Sequence, residues 1–320
     1  MKSGRFALMG LALFLSGAQA QTLPKQITLV VPYPPGSTSD LIPRMVAPHL
    51  QQVLGTTVIV ENVAGANGAI GAQRVARGPA DGSQILMAPT GVLSANQFLY
   101  TNLSYDPEKS FDPLINLAGT PNLIVVNKNV PANTMSELIK LAEAKPGTVS
   151  FGSGGVGSTS HLCGEMVKLA AKGSMIHVPF RGPAPAKQAV LAGDVTFICD
   201  NFSNVIEDTK EGGLKAIALS AKTRHPQAPN IPTTADQGYP AIDAGIWYSF
   251  VVPRGTPSDL VNRLNAEIAK ILAMPDVKPR LESLGLSIIA DSPASFGTFL
   301  KSETARWKKA IEEANIKIEQ

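Results

Sequence analysis

Cysteine, aromatic residues and excess charge are all scarce in this 320-residue sequence. Two cysteines exclude a disulfide-rich scaffold and a four-cysteine zinc site. Aromatic residues make up 6% of the chain, too few for a protein that binds single strands of nucleic acid by stacking. The net charge of +3 provides no basic patch for nucleic acid or anionic lipid. The hydrophobic fraction of 44% is nevertheless enough for a sizeable core, so we expect a folded protein with no nucleic-acid partner.

Long apolar runs are also lacking, apart from one near the N-terminus. Residues 6–15 are apolar except for one glycine, and Lys2 and Arg5 precede them. The sequence Ala18-Gln19-Ala20 then provides a small-x-small cleavage site. Spanning a bilayer takes about 20 apolar residues, so this run is too short for a membrane anchor. We predict a signal peptide over residues 1–20 and an exported mature protein. Its 28 basic residues fall to 26 without Lys2 and Arg5, against 25 acidic residues.

Predicted strands and helices alternate along most of the chain. Residues 26–33 (QITLVVPY) form a β-branched run typical of a strand, and residues 40–54 have helical spacing. The same order returns with a strand over 149–151 and a helix over 158–171. This alternation predicts an α/β protein with largely parallel sheets. Residues 257–317 predict three helices and no strand, so they must pack on a sheet formed earlier in the chain.

The order of these segments predicts two domains. We expect residues 21–124 and 251–320 to form domain 1, and residues 125–250 to form domain 2. The chain would then cross between the domains twice, near Val125 and near Phe250. Two crossings make a hinge, and ligands commonly bind in the cleft between hinged domains.

Two loops rich in Gly, Ser and Thr stand between a predicted strand and a predicted helix. The first spans residues 34–40 (PPGSTSD) and the second residues 151–160 (FGSGGVGSTS). Backbone N–H groups at a helix N-terminus attract anions without a formal cation. Each loop alone is also consistent with an ordinary capped turn. Their matching places in the two half-chains favour an anion-binding site.

The second loop contains Gly152, Gly154 and Gly157, which match the dinucleotide pattern G-x-G-x-x-G. That fingerprint requires an acidic residue about 20 positions further on, and residues 172–179 contain none. The nucleophile elbow, the phosphate-binding P-loop and the H-E-x-x-H metal motif are missing from the sequence as well. The sequence therefore predicts a protein that is not an enzyme, with no cofactor, no catalytic residue and no metal site.

Three polar residues follow predicted strands or begin a helix at the same sheet edge. Arg181 could pair with a carboxylate or form a surface salt bridge. Asp200 could accept a hydrogen bond from a ligand hydroxyl or amine, or cap the helix that follows. His161, in the first turn after the second loop, is expected to make a structural hydrogen bond rather than bind a ligand.

Four further residues are expected in the core. Trp247 and Tyr248 lie on a predicted strand, where core packing is favoured over a ligand-stacking role. Cys163 and Cys199 are expected as buried free thiols, because neither lies in a loop. A disulfide between them is the alternative for an exported protein.

At these residues the sequence resembles the Bug-type, or TctC-type, solute-binding proteins of tripartite tricarboxylate transporters. The resemblance covers almost the whole mature chain. It rests on an ordered set of segments, which are ITLVVPYPPGSTSD, VIVENVAGANGAIGAQRVARGPADGSQILM, VSFGSGGVGSTSHLCGEM, HVPFRG, FICDN and WYSFVVPRGTP. The family usually has a second glycine where this chain has Ser37.

The resemblance implies a type II periplasmic-binding-protein fold, with two α/β domains around a ligand cleft. It also implies a monomeric periplasmic protein that captures a small aliphatic or aromatic mono- or dicarboxylate for the membrane subunits of a tripartite transporter. A carboxylate sensor in the periplasm and an enzyme on the same clamp fold are the alternatives. Carried over to this sequence, the ligand-binding residues are Gly36, Ser37, Thr38, Asp40, Thr90, Gly91, Ser153, Ser158, Thr159, Arg181 and Asp200.

Overall fold

The computed structural model describes residues 23–172, 175–313 and 315–316; the predicted signal peptide lies outside them. The strands are β1 (Gln26–Val31), β2 (Thr57–Asn62), β3 (Gln84–Pro89), β4 (Phe111–Thr120), β5 (Asn122–Asn127), β6 (Val149–Ser153), β7 (Met175–Pro179), β8 (Phe197–Asn201), β9 (Leu214–Leu219), β10 (Ile246–Pro253) and β11 (Ser287–Ile288). The α-helices are α1 (Thr38–Leu54), α2 (Ala69–Ala76), α3 (Asn96–Leu99), α4 (Met135–Ala144), α5 (Thr159–Ala170), α6 (Pro183–Ala192), α7 (Phe202–Lys210), α8 (Ser258–Leu272), α9 (Lys278–Ser283) and α10 (Pro293–Glu313).

Six strands form the first sheet, in the order β11-β4-β10-β3-β1-β2. β1 pairs in parallel with β2 and β3, and β10 returns antiparallel between β3 and β4. Helices α1 and α8 cover one face, while α2 and the N-terminal part of α10 cover the other. Because both faces are covered, β1 is apolar along nearly its whole length rather than alternating.

Five strands form the second sheet, in the order β7-β6-β8-β5-β9. β6 is parallel to β7 and β8, while β5 is antiparallel to β8 and β9. Helices α4 and α5 pack on one face and α6 and α7 on the other. Gly164 on α5 lies against the Phe151 ring, and a methyl group there would overlap that ring. The absence of a side chain thus lets α5 approach the sheet closely. Two covered sheets confirm the predicted α/β class.

The C-terminal segment differs from the sequence prediction in two respects. It contains a strand, β11, whose two residues pair with β4 and are too few to give a sequence periodicity. Its last helix also reaches both sheets, since Phe296 lies in the core of the first and Trp307 and Ile311 in the core of the second. Among the described helices, including this one, none has the length and apolar character needed to cross a membrane.

The chain changes sheet at two places. β4 ends at Thr120 and β5 begins at Asn122, so the first change takes place at Pro121. The second lies in the connection between β9 and β10. The crossings expected near Val125 and Phe250 therefore fall inside β5 and β10, four or more residues beyond the changes of sheet. Because β5 follows β4 after a single residue, the amino-acid composition does not mark the change of sheet. The assignment of residues to two domains stays a prediction.

Candidate functional site

The predicted site residues stand mostly where parallel strands end. In the first sheet, β1 leads into the first Gly/Ser/Thr loop and β3 leads into Thr90 and Gly91. In the second sheet, β6, β7 and β8 lead into the second loop, Arg181 and α7. Tyr248 lies on β10, between β3 and β4, and is buried in the core of the first sheet. Burial raises the pKa of the Tyr248 hydroxyl, so it stays protonated at neutral pH.

The first loop connects the end of β1 to the N-terminus of α1. Gly36 adopts a φ of +83°, a left-handed conformation that glycine accepts without strain. Ser37 is the N-cap residue, but its hydroxyl donates to the Pro34 carbonyl at 2.9 Å instead of capping α1. The first-turn N–H groups of α1 therefore have no side-chain cap. That this helix start binds an anion stays a prediction.

Asp40 shapes this loop from within the protein. Its carboxylate accepts hydrogen bonds from the Gly36 N–H at 2.8 Å, the Asn62 amide at 2.8 Å and the Arg44 guanidinium at 2.9 Å. Burial raises the pKa of this carboxyl, but the bonds from Arg44, Gly36 and Asn62 outweigh burial and lower it overall. Asp40 is thus ionised and held by three donors. This geometry gives it a positioning role in the site.

The second loop is ordered mainly by its own hydroxyl groups. Ser158 is the N-cap of α5 and accepts a hydrogen bond from the His161 N–H at 3.2 Å. Its hydroxyl also contacts the Gly155 carbonyl at 2.7 Å and the Ser160 hydroxyl at 2.9 Å. Thr159 is half-buried, and its hydroxyl has no hydrogen bond to the described residues. Of these two predicted site residues, Thr159 is the one whose side chain remains available.

Ser153 lies under the loop instead of facing the cleft. It is fully buried, and its Oγ is 2.7 Å from Nε2 of His177. A serine beside a histidine is the arrangement of a nucleophile and its base. Burial, with a smaller contribution from His161, lowers the pKa of His177 to about 4. Because Ser153 is enclosed, a substrate cannot reach its hydroxyl, and the pair supports the loop.

His161 and Glu165 complete a cluster with His177 behind the second loop. Their potential metal-ligating atoms lie within 4.8 Å of one another. The two imidazole rings are stacked, with centroids 4.0 Å apart, so their in-plane lone pairs do not converge on one point. Nδ1 of His161 accepts from the Gly157 N–H at 3.1 Å, and Lys168 pairs with Glu165. His161 therefore makes the structural hydrogen bond that its position predicted.

Thr90 and Gly91 belong to the first sheet's edge. Thr90 is fully buried and accepts a hydrogen bond from the Trp247 N–H at 2.9 Å, which ties β3 to β10. Gly91 begins a π-helical turn, a feature frequent at functional sites. Beside it, Asn67 has a φ of +48° and its amide donates to Asn96 at 3.0 Å. Neither asparagine was predicted from the sequence, where the available signal was an Asn preceding Gly68 in a glycine-rich segment.

Arg181 is exposed at the rim, after β7. It forms neither a salt bridge nor a side-chain hydrogen bond within the described part of the chain, so the surface salt bridge expected as one alternative is not formed there. Two residues further along the chain, a small cavity of about 140 Å³ is lined by Pro183, Ala184, Lys187, Asp200 and Asn204. An unengaged guanidinium at this rim can meet a ligand carboxylate.

Asp200 lies in that cavity wall, almost completely buried. Burial raises the pKa of its carboxyl to about 6, opposed by hydrogen bonds from Asn201 and Asn204 and by the charge of Lys187. Oδ1 accepts the Asn201 N–H at 2.8 Å, whereas Oδ2 has no partner among the described residues. Only one of the two carboxylate oxygens is thus satisfied, at the start of α7.

The expectation of two free thiols is wrong. Cys163 on α5 and Cys199 on β8 form a disulfide, with Cα atoms 6.0 Å apart. Sequence position could not show that α5 crosses directly over β8. The expectation for Trp247 is confirmed, since it is buried against Phe296 and Phe299 and donates to Glu303 at 2.8 Å.

The two α/β domains with a ligand cleft between them define a type II periplasmic-binding-protein fold. The family model described as the tripartite tricarboxylate transporter family receptor, TctC, matches residues 42–316. The chain belongs to this family, as its motifs predicted. The family and its fold neighbours are solute-binding proteins of the periplasm, which are not enzymes.

Similar proteins are known by sequence and by structure. A UPF0065 protein encoded in the tcbD-tcbE intergenic region of a Pseudomonas species is 35% identical, over 99% of this chain and 96% of that protein. A protein of R. palustris solved with adipate has 31% identity and a TM-score of 0.79, covering 92% and 98% of the two chains. MatC of Rhodopseudomonas palustris, solved with bound malate, has 31% identity and a TM-score of 0.76, covering 89% and 98%.

Proposed function

We propose that this protein captures a small carboxylate between its two Gly/Ser/Thr loops and delivers it to the membrane subunits of a tripartite tricarboxylate transporter. It acts as a monomer in the periplasm after removal of residues 1–20. One observation carries the proposal: the N-termini of α1 and α5 each follow the carboxyl end of a parallel strand, β1 in the first sheet and β6 in the second. Each presents backbone N–H groups and the positive end of a helix dipole.

The chemistry of the cleft supports an anionic ligand that binds without a buried cation. Arg44, four residues after Asp40 on α1, is already paired with that carboxylate. The helix N-termini therefore provide the positive potential for the first carboxylate. Arg181 at the rim provides a full charge for a second one. The structural neighbours solved with adipate and malate, two dicarboxylates, are consistent with this arrangement.

Calorimetry with succinate, malate and adipate tests the proposal, together with two hydroxyl deletions. Thr159→Ala should weaken binding of the best ligand by roughly 1–3 kcal/mol, because it removes a free donor that faces the anion. Ser158→Ala should mainly lower the free energy of unfolding, by about 0.5–2 kcal/mol, because it removes a helix cap. Thr298→Ala, an exposed hydroxyl on α10, is the matched control and should change neither quantity.

Thermal stability gives an independent measure over a wider set of carboxylates. A ligand present at about 100 times its dissociation constant should add roughly 2.7 kcal/mol to the free energy of unfolding. The proposal is wrong if no aliphatic or aromatic carboxylate stabilises the protein or binds in the calorimeter.

A further inference from the structure

Two backbone N–H groups of the second loop donate to buried side chains. The Gly155 N–H donates to the Ser153 hydroxyl at 3.2 Å, and the Gly157 N–H donates to Nδ1 of His161 at 3.1 Å. A hydroxyl oxygen keeps its lone pairs across the physiological pH range, whereas an imidazole nitrogen accepts only while it carries no proton. Of these two bonds, the one from Gly157 therefore depends on the protonation of its acceptor.

The bond from Gly157 fixes the tautomer of His161. Because the backbone N–H is the donor, Nδ1 carries a lone pair and the neutral ring has its proton on Nε2. Nε2 lies 3.6 Å from Oε1 of Glu165, one turn further along α5. Burial raises the pKa of Glu165, but His161 and Lys168 outweigh burial and lower it overall, so this carboxylate is ionised. The imidazole thus lies between a loop N–H and a carboxylate.

The strands next to the His161 ring contribute no charge at neutral pH. On β7, His177 stacks on the ring with centroids 4.0 Å apart, and burial, with a smaller contribution from His161, lowers the pKa of His177 to about 4. On β6, Phe151 stacks on it at 6.5 Å. On β8, Cys199 is bonded to α5, and the adjacent Asp200 points to the opposite face of the sheet, because strand residues alternate.

The helices contribute charges that are paired or distant. Lys168 pairs with Glu165 at 3.2 Å, and Glu143 of α4 pairs with Lys172, beyond the end of α5. Helix α10 approaches the C-terminal half of α5 near Leu169, which is about 12 Å along the helix axis from His161. The cavity at that place is lined by five charged residues, Lys222, Asp243, Arg306, Lys309 and Glu313. Among the described residues, Glu165 is thus the charged side chain in contact with the ring.

Protonation of His161 would change the loop, because the second proton must go to Nδ1. An imidazolium donates from both nitrogens, so two N–H groups would then face each other across the present 3.1 Å. Glu165 would still accept from Nε2, whereas the Gly157 N–H would lose its partner in a buried place. Gly157 directly precedes Ser158, the N-cap of α5, so the disturbance occurs at the start of the helix.

We propose that His161 is a positioning residue of the second loop, whose neutral form holds Gly157 and the start of α5 in the ligand-binding arrangement. Protonation of His161 then weakens ligand binding. This inference rests on the proposed function, in which the N-terminus of α5 binds the ligand carboxylate. It adds regulation by pH: a ligand captured at neutral pH is bound less tightly when the surroundings become acidic. Histidine is the side chain suited to this range.

Nitrogen NMR of histidine-labelled protein tests the tautomer without a ligand. At pH 7.5, Nδ1 of His161 should show the chemical shift of an unprotonated nitrogen and Nε2 that of a protonated one, with His161→Asn assigning the signals. On acidification, the His161 ring and the Gly157 amide should change with the same midpoint. A proton on Nδ1 at pH 7.5, or a Gly157 amide that does not follow the ring, would overturn the inference.

Two substitutions separate the acceptor from the ring. His161→Asn places an amide oxygen near the position of Nδ1 and does not titrate, whereas His161→Leu removes the acceptor. At pH 7.5, calorimetry with the best carboxylate should show binding weakened roughly fivefold in His161→Leu and by less than about twofold in His161→Asn. Equal losses in the two variants would overturn the role of the acceptor.

The pH dependence is measured by calorimetry between pH 5.5 and 8. Wild-type affinity should fall on acidification by roughly fivefold relative to His161→Asn, whose own profile contains the ionisation of the ligand and of Asp200. His49→Asn removes an imidazole that pairs with Asp276 far from the loop in sequence, and as the matched control it should follow wild type.

The outcomes distinguish this inference from the proposed function. Parallel pH profiles for wild type and His161→Asn would overturn the regulation and leave the proposed function standing. A wild-type affinity that rises on acidification relative to His161→Asn would also overturn it, because the imidazolium would then attract the anion. If no carboxylate binds at any pH, the proposed function is wrong and the regulation falls with it, while the NMR result still decides the tautomer.

Discussion

At the scale of single residues, some of the predicted site side chains are hydrogen-bonded within the protein and others are not. Asp40, Ser153 and Thr90 were predicted to bind ligand, but each is buried and bonded to the surrounding protein. Thr159 and Arg181 are without such bonds within the described residues. Thr90 and Thr159 are the same residue type, and only their neighbours distinguish them.

Asp200 leads to a prediction about stability and pH. Its pKa rises from 3.8 to about 6 in the folded protein because of burial, so the folded state favours the protonated form. Its contribution to the free energy of unfolding is therefore fully present below about pH 4 and is lost as the pH rises through about 6. Asp200→Asn mimics the protonated form. It should be more stable than wild type at pH 7.5 by roughly 1–3 kcal/mol, with no difference at pH 4.

Urea unfolding of both proteins between pH 4 and 8 measures this difference. Asp194→Asn, on an exposed loop, is the control and should follow the wild type at each pH. A constant difference between wild type and Asp200→Asn would show that the Asp200 carboxyl does not titrate differently in the two states.

At the scale of elements, the disulfide fixes the helix that carries the second loop. Cys163 on α5 and Cys199 on β8 are 36 residues apart in sequence. The N-terminus of α5 binds the anion in the proposed function and the end of β8 carries Asp200. The bond therefore joins two parts of one wall of the site.

Reduction of this disulfide should lower the free energy of unfolding by about 2–4 kcal/mol, because the unfolded chain gains the entropy of an open loop. Denaturant unfolding with and without dithiothreitol measures the effect. The double variant Cys163→Ala and Cys199→Ala should be as unstable as the reduced protein and indifferent to dithiothreitol. An unchanged midpoint for reduced wild type, with thiols confirmed by labelling, would contradict this expectation.

At the scale of the whole molecule, the two sheets are joined by more than the two crossings of the chain. Helix α10 packs on both sheets, and its Arg306 donates to the Asp243 carbonyl just before β10. In a separate contact, the Gln227 amide, in the connection after β9, donates to the Glu282 carbonyl on α9 at 2.6 Å. Gly285 lies against Phe202 at the start of α7. These contacts join elements of the first sheet to elements of the second.

We expect the cleft to close on its ligand, with hinge motion near Pro121 and in the connection before β10. Small-angle scattering should give a smaller radius of gyration for the protein saturated with its best carboxylate than for the free protein. Gln227→Ala removes one bond between the two halves of the molecule and should enlarge the free form without changing the bound form. Superimposable profiles for free and saturated protein would contradict closure.

The α/β class, the family and the places of both Gly/Ser/Thr loops were determined by the sequence itself. These features depend on local periodicity, on glycine and cap residues, and on an ordered set of motifs. Tertiary structure alone decided the rest. The disulfide, the reach of α10 into the second sheet and the unpartnered amide of Asn122 depend on which elements cross in space. A sequence pattern predicts that a side chain is buried. Its hydrogen-bond partners lie on distant segments of the chain, so its role depends on the tertiary structure.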